Sequence, residues 1–355
     1  MLDVGQGDAI LVQTPAGRAI LIDGGHKSSE VLPQLQALGV SSLSMVIASH
    51  PHADHIGRLD EVMAAMPPKV YVDNGMTHTT GAYDDVMKTV EAQGIRYATA
   101  QAGWSRELDD GIVIEFLGPP LTPLSNTRSD LNSNSVITRI THGTQCFLFT
   151  GDAEEPTEEL LLRQGIAPCN VLKVAHHGSA HSTSHRWLRA VDPDIALISC
   201  GEGNRYGHPA EETLSRLRSA GVSVYRTDTA GRIHLESDGS QVTVSTASSP
   251  PRSFAGGSTP PPAPTPQEQV APVVETVVAA SRAPTARPAA DDGLININKA
   301  SQSQLETLPG IGPSKASAII EYRMKNGAFT DIEQLDDVPG IGPATMGKVR
   351  ALVTL

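Results

Sequence analysis

Short apolar runs bounded by turn residues recur along residues 1–247, and most are too short to be helices: AILVQT, AILID, MVIAS, VYVDN, IVIEFLG, SVITRI, CFLFTG, VLKVA, IALIS, RIHLES and VTVST. They predict strands. Amphipathic runs of helical period lie between some of them: EVLPQLQALG, LDEVMAAM, YDDVMKTVEAQG, EELLLRQG and EETLSRLRSAG. Several stop at a glycine, as a helix C-terminus does. So many strands, with helices between only some of them, predict an α/β fold of two sheets sandwiched between helices, with a doubly wound sheet as the alternative. From 248 to 292 the pattern vanishes into a stretch that holds ten of the 26 prolines. Such a segment buries too little apolar surface to offset its ordering entropy and reads as a linker, in which Val273 to Ala280 is a short apolar exception. Residues 293–355 then repeat themselves, LPGIGPSKA returning thirty positions later as VPGIGPATM, which predicts a small duplicated helical domain.

Charge changes this picture. The net charge of −12 is concentrated in residues 1–247, which carry 18 basic and 29 acidic side chains; residues 293–355 carry six of each. A polyanion is repelled by the field of the large segment, so any nucleic-acid contact there requires metal ions or local groups. The three cysteines, Cys146, Cys169 and Cys200, adjoin apolar runs without ligand-type spacing and are expected as buried thiols rather than a disulfide framework. No run of eighteen apolar residues and no secretory signal pattern occurs, so no spanning segment is expected. The default expectation is a cytoplasmic protein, or an exported one if the true start lies upstream.

The candidate chemistry begins at SHPHADHIG, directly after MVIAS. His50 and His52 on a loop leaving a strand can turn towards one ion, and Asp54 and His55 towards a second. Imidazole with carboxylate suits zinc, manganese or iron. Other strand ends supply further ligands: Asp152 after CFLFTG as a bridging carboxylate, His176 or His177 after VLKVA, and His208 in NRYGHP. Strand alternation points His176 and His177 to opposite sides, and His176 is the favoured ligand. Asp23, closing AILID, is expected to orient a ligand imidazole rather than touch metal. His142 is expected at a solvent-facing hairpin tip, His78, His181, His185 and His234 at the surface, and His26 near the site.

In this order, DVGQGDAIL, LIDGG, SHPHADHIG, FTGD, LKVAHHGS and NRYGHP closely resemble the metallo-β-lactamase-fold domain of ComEC-type competence proteins. The resemblance implies an αββα sandwich, one or two divalent ions (zinc or manganese) and a role in degrading the non-transported strand of incoming DNA. It places the ligands at His50, His52, Asp54, His55 and Asp152, with the late histidines at His176 or His177 and His208. The third-motif histidine of broader metallo-β-lactamases is missing; NSNSV, with Asn134 and Ser135, stands there instead. His177 or His208 is the expected proton donor to a leaving alkoxide, with Asp54 and Asp152 in the catalytic centre.

In the tail, each PGIGP places glycines where the chain turns into a helix, so that phosphate can approach backbone amides at a positive dipole end. ININ, LPGIG and NGAF resemble the helix-hairpin-helix pair of ComEA-type DNA receptors. The resemblance implies sequence-independent binding of DNA through its phosphates, by Gly310, Ile311, Gly312 and Lys315 and by Gly340, Ile341, Gly342 and Lys348. The expectation is therefore a hydrolase domain (1–247), a linker (248–292) and a DNA-binding domain (293–355), with nuclease action first. A hydrolase of a small phosphoester or phosphodiester and an inactive DNA-binding adaptor are the alternatives.

Overall fold

The computed structural model describes residues 1–108, 111–246 and 249–255, then 295–298, 300, 305, 308, 311, 313–326, 329, 331–338, 341 and 343–354. The chain divides into two compact units, Met1–Ala279 and Ala280–Leu355.

In the first unit one sheet has five strands in sequential order, β1 (Ile10–Gln13), β2 (Ala19–Ile22), β3 (Met45–Ile47), β4 (Val70–Asp73) and β5 (Arg96–Thr99). The pair β1–β2 is an antiparallel hairpin; β2 through β5 are parallel. Parallel neighbours need crossovers. These contain α1 (Val31–Ala37), the short α2 (Ala53–Ile56), α3 (Leu59–Ala65) and α4 (Gly81–Ala92).

The second sheet runs in the order β12-β11-β10-β9-β8-β7-β6, from β6 (Ser105–Glu107), β7 (Ile112–Gly118), β8 (Ile137–His142) and β9 (Gln145–Phe149) to β10 (Val171–Lys173), β11 (Ile195–Ile198) and β12 (Ser223–Arg226). Strands β6 to β9 form an antiparallel meander, with α5 (Asp130–Ser133) before β8, and β9 to β12 are parallel. Their crossovers contain α6 (Glu155–Gln164), α7 (His185–Val191) and α8 (Glu211–Ser219).

Strand alternation then builds the layers. Ile20 and Ile22 of β2 face the other sheet and pack with Ile47, Val72, Ile114, Ile140, Phe149 and Leu197. Leu21, one residue out of phase, packs outward with Leu35, Leu59, Val62 and Val86 of the helices. On the far side Leu148, Leu172 and Ile198 meet Leu161, Trp187, Leu188 and Leu217. Helix, sheet, sheet, helix is the αββα sandwich that the sequence predicts.

Two expectations are corrected. The strand pattern runs past 247: β13 (Ile233–Ser237) and β14 (Gln241–Thr246) pair antiparallel, and β15 (Ser249–Ala255, SPPRSFA) pairs with β14 and packs Phe254 against the inter-sheet core. Prolines suggested a linker there, but β15 is an edge strand, where an absent N–H costs no ladder bond. The expected linker from 256 onward, with Val273 to Ala280, lies outside the described residues. The cysteines are also corrected: Cys146 and Cys169 form a disulfide, with Cα atoms 4.8 Å apart. Parallel pairing of β9 with β10 brings them together, because Val171 lies opposite Phe147. Cys200 is the free cysteine, buried, and burial pushes its thiol up to about 12.

In the second unit the thirty-residue repeat is a repeat of core positions. Leu305, Leu308, Ile311, Ala316 and Ile319 are buried, and so are Leu335, Val338, Ile341, Met346 and Val349. Ile311 N–H donates to Leu308 O and Ile341 N–H to Val338 O, both at 3.0 Å. Helices cover Pro313–Asn326 and Pro343–Val349, and Ile295–Asn296 pairs with Val353–Thr354. No helix among the described residues is long and apolar enough to cross a membrane.

The disulfide yields a direct test. Alkylation of denatured, unreduced protein should label one cysteine, Cys200, and alkylation after reduction should label three; three labels without reductant would refute the crosslink.

Candidate metal centre

The ligand-type side chains collect where parallel strands end. His50, His52, Asp54 and His55 follow β3, with Asp54 and His55 on α2; Asp152 follows β9; His176 and His177 lie in the turn Ala175–Gly178 after β10; His208 is on the loop after β11. Crevices at the carboxyl ends of strands are where α/β sheets bind ligands.

Asp152 is the hub. Its Oδ1 is 3.2 Å from His55 Nε2, and its Oδ2 is 3.9 Å from His50 Nε2, 3.8 Å from His176 Nε2 and 3.7 Å from His177 Nε2. His177 Nε2 is also 3.4 Å from Asp54 Oδ2, and His52 Nδ1 lies 2.9 Å from His50 Nε2. Three groups of mutually close donors centre here, His50-His55-Asp152, Asp54-His55-His177 and Asp8-Asp152-His177; a fourth, Asp8-Asp23-His55, stands behind His55. Asp152 Oδ1, His55 Nε2 and His177 Nε2 are buried without a hydrogen-bond partner. Buried polar atoms are normally satisfied, so convergent orphans of this chemistry fit a divalent cation.

The electrostatics agree. Burial alone would depress His55 and His177, yet Asp152 and Asp23 hold His55 well above the imidazole range, and Asp152 and Asp8 bring His177 up to about 10. Burial alone would raise Asp152, but His55 and His177 pull it well below the carboxylate range. Protons on imidazoles thus supply the positive charge that the carboxylates demand. His50 is instead driven well below its usual value by burial and by His55, so it is a neutral donor.

The expected roles are partly redistributed. Asp23 accepts from His55 Nδ1 at 2.9 Å, from Ser49 N at 2.7 Å and from Ser49 Oγ at 2.8 Å. Ser135 Oγ accepts from Asp152 N–H at 3.2 Å, so it braces the hub. Asn134 spends its side chain on Leu124 and Asp130 and pins the preceding loop. His176 and His177 do not point to opposite sides, because β10 has already ended and both lie at positive φ, 51° and 54°. His177 is the deeper: it is buried, and its Nδ1 hydrogen-bonds Ser199 O at 2.9 Å. His176 is half-buried, 3.3 Å from Glu154 Oε1. The preference for His176 over His177 is therefore reversed for the centre's buried side.

His208 stands further out, its ring 5.5 Å from that of His176, and it belongs to none of the close groups. Burial and the nearby His176 and His177 lower it to about 4. His142 is half-buried and hydrogen-bonds Ser237 Oγ at 3.1 Å, away from the centre, whereas His78, expected at the surface, is half-buried with its ring 5.7 Å from His52. His26 is exposed.

The sequence reading missed Asp8 and Lys173. Asp8 lies behind two imidazoles, 3.7 Å from His55 Nδ1 and 3.4 Å from His177 Nδ1, and pairs with Lys173, whose Nζ also donates to Gly151 O at 2.9 Å. Both are almost fully buried. Gly7, at φ 137°, lets this segment lie against the Asp54 carbonyl, where a Cβ would collide. A polar residue inside the apolar run VLKVA was the available signal for Lys173.

In the second unit, Gly310, Gly312, Gly340 and Gly342 lie outside the described residues. Ile311 and Ile341 are corrected: their side chains are buried core and their amides are already bonded within the turn, so they anchor the hairpins rather than meet a ligand. Lys348 is exposed; Lys315 is half-buried and donates to Thr345 Oγ1 at 3.1 Å, thirty residues on.

Comparison with known proteins agrees with this architecture. Residues 2–202 match the metallo-beta-lactamase superfamily and residues 291–354 the helix-hairpin-helix motif. Competence protein ComA of Neisseria gonorrhoeae is 33% identical over 238 residues, covering 66% of this chain and 31% of that protein. ComE operon protein 3 of Bacillus subtilis is 29% identical over 261 residues, 66% of this chain and 32% of that one. ComE operon protein 1 of the same organism is 45% identical over 62 residues, 18% of this chain and 30% of that one. The chain thus spans about a third of the length of these relatives. With the superfamily match covering more than half of its length, the chain belongs to the metallo-beta-lactamase superfamily, with a helix-hairpin-helix motif at its C-terminal end.

Proposed function

We propose that this protein is a divalent-metal-dependent phosphodiester hydrolase that acts on DNA during uptake or processing. The observation that carries the reading is the set of buried, unpartnered donor atoms around Asp152. His50, His52, His176 and Asp152 would hold one ion; Asp54, His55, His177 and Asp152 would hold the other. His176 would take the place left by the absent third-motif histidine, since its Nε2 approaches the same Asp152 oxygen as His50 while His177 Nε2 also reaches Asp54 Oδ2. Zinc and manganese both suit this donor set. When bound, such ions supply Lewis acidity, polarising a phosphoryl oxygen and acidifying water.

The chain's own groups set orientation and proton traffic. Asp23 and Asp8 fix the two buried imidazoles from behind. His177 has Nδ1 committed to Ser199 and Nε2 to the centre, which leaves His208 as the proton donor to the leaving alkoxide. An anionic phosphodiester beside His208 raises its pKa towards that task. The helix-hairpin-helix unit holds DNA by its phosphates, without reading sequence. Tethering offsets the acidic field of the hydrolase unit by raising the local concentration of DNA. The similarity to competence proteins supports this setting.

Incubating labelled single- and double-stranded DNA with manganese, zinc or chelator, with and without residues 293–355, tests the reading. Cleavage should require metal and fall when the tail is removed; DNA retention without cleavage would overturn it. Asp152→Asn should lower hydrolysis of bis(p-nitrophenyl) phosphate by more than about 100-fold and reduce bound metal. Replacing both members of the buried pair, Asp8→Asn with Lys173→Met, should leave a folded protein whose metal affinity is lower by roughly 10- to 100-fold; unchanged affinity in a chelator competition would dismiss Asp8 as an orienting group. Finally, His177 and His55 carry protons at pH 7 in the ion-free centre, so metal binding must expel them and apparent affinity should rise with pH. Calorimetry in buffers of different protonation enthalpy measures this, and a buffer-independent heat would contradict it.

A further inference from the structure

We propose that Arg205 and Tyr206 form a stacking ledge at the rim of the metal centre that takes the nucleobase beside the scissile phosphodiester, which makes the hydrolase unit selective for unpaired strands. The inference rests on the hydrolase reading above and names the substrate feature that this centre recognises.

Tyr206 is 55% exposed, one of three large hydrophobic side chains exposed among the described residues, and it belongs to none of the apolar clusters. It stacks outward from the centre instead. Its ring is 5.8 Å from that of His208 at 26°, and His208 is 5.5 Å from His176, whose Nε2 is 3.8 Å from Asp152. The Arg205 guanidinium carbon lies 5.0 Å from the centroid of the Tyr206 ring, displaced towards its hydroxyl end, and the guanidinium donates to that hydroxyl at 2.8 Å. Arg205 has no carboxylate partner among the described residues, although acidic side chains outnumber basic ones in this unit. Its outer face is open to solvent.

The ledge is also held rigidly. Asn204 Oδ1 accepts from the N–H groups of Tyr206 at 3.2 Å and His208 at 3.0 Å, while its Nδ2 donates to Gly201 O at 2.9 Å and His208 O at 2.5 Å. One amide thereby fixes both ends of the loop, and such preorganisation lowers the cost of binding. An exposed aromatic ring with a planar cation at its hydroxyl end is a surface on which any base can stack, with the positive charge next to the adjoining phosphate. Bases inside a duplex have both faces covered by neighbours, so away from duplex ends an unpaired base alone can use it.

The test uses the full chain and two small diesters, thymidine 5′-(p-nitrophenyl phosphate), which carries a base, and methyl p-nitrophenyl phosphate, which does not. Tyr206→Ala should raise KM for the thymidine ester by roughly 5- to 150-fold with little change in kcat, and leave the methyl ester unaffected. Tyr206→Phe, which keeps the ring but loses the hydroxyl that holds Arg205, should fall between wild type and Tyr206→Ala for the thymidine ester, and Arg205→Lys, which keeps the charge but loses the plane, should raise KM for that ester as well. Equal effects on both esters, or on neither, overturn the ledge. Saturation-transfer NMR with thymidine 5′-monophosphate reads the contact independently of turnover: saturation should reach the base protons in wild type and be lost in Tyr206→Ala. No saturation in wild type overturns the ledge; hydrolysis of neither ester by wild type overturns the hydrolase reading alone.

Discussion

Asp152, at the end of β9, lies within 4 Å of His50, His55, His176 and His177, side chains that come from the ends of two other strands, β3 and β10. That convergence depends on Asp8, Asp23, Asp54 and Asp152 sharing a pocket with too few fixed cations. Lys173 is a permanent positive charge beside it, and it is paired with Asp8. Buried charges persist only when paired, so the remaining carboxylates require protons on imidazole or cations between them. The αββα sandwich is the scaffold that makes the arrangement affordable: every ligand loop hangs from a strand whose flanking residues are locked into one of three apolar layers.

The interior of this fold was legible and its margins were not. Strands β2 and β3 are fully buried, β4 and β9 are buried but for one partly exposed residue each, β7 is alternately buried, and their sequences show it. The strands that the apolar pattern failed to mark, β5, β6, β12 and β15, are all sheet edges, and RYAT, SRE and SVYR contain no fully buried residue. An edge strand is specified by its neighbour's free hydrogen bonds more than by its own side chains. The helix α7 escaped because HRWLRAV looks charged, although Trp187, Leu188 and Val191 are buried.

At the centre, spacing alone exposed the histidine cluster, but other assignments needed geometry. Assigning opposite directions to His176 and His177 assumed that the strand continued; it ends at Lys173, and the following turn holds both residues in the left-handed region. Such strained positions persist where surrounding structure over-determines them. Asp8 gave no sequence signal of its own because it precedes β1 and gains its partners from β10 and α2, more than forty residues away. In the tail the repeat was plain, yet its isoleucines were misread: short side chains between glycines resemble a contact surface until a core is seen to need them.

The Cys146–Cys169 crosslink joins β9 to the approach of β10, and these are the strands that deliver Asp152 and the paired histidines. A covalent tie at the N-terminal side of these two strands limits how far their C-terminal ends can slide past one another, and with them the side chains that meet at Asp152.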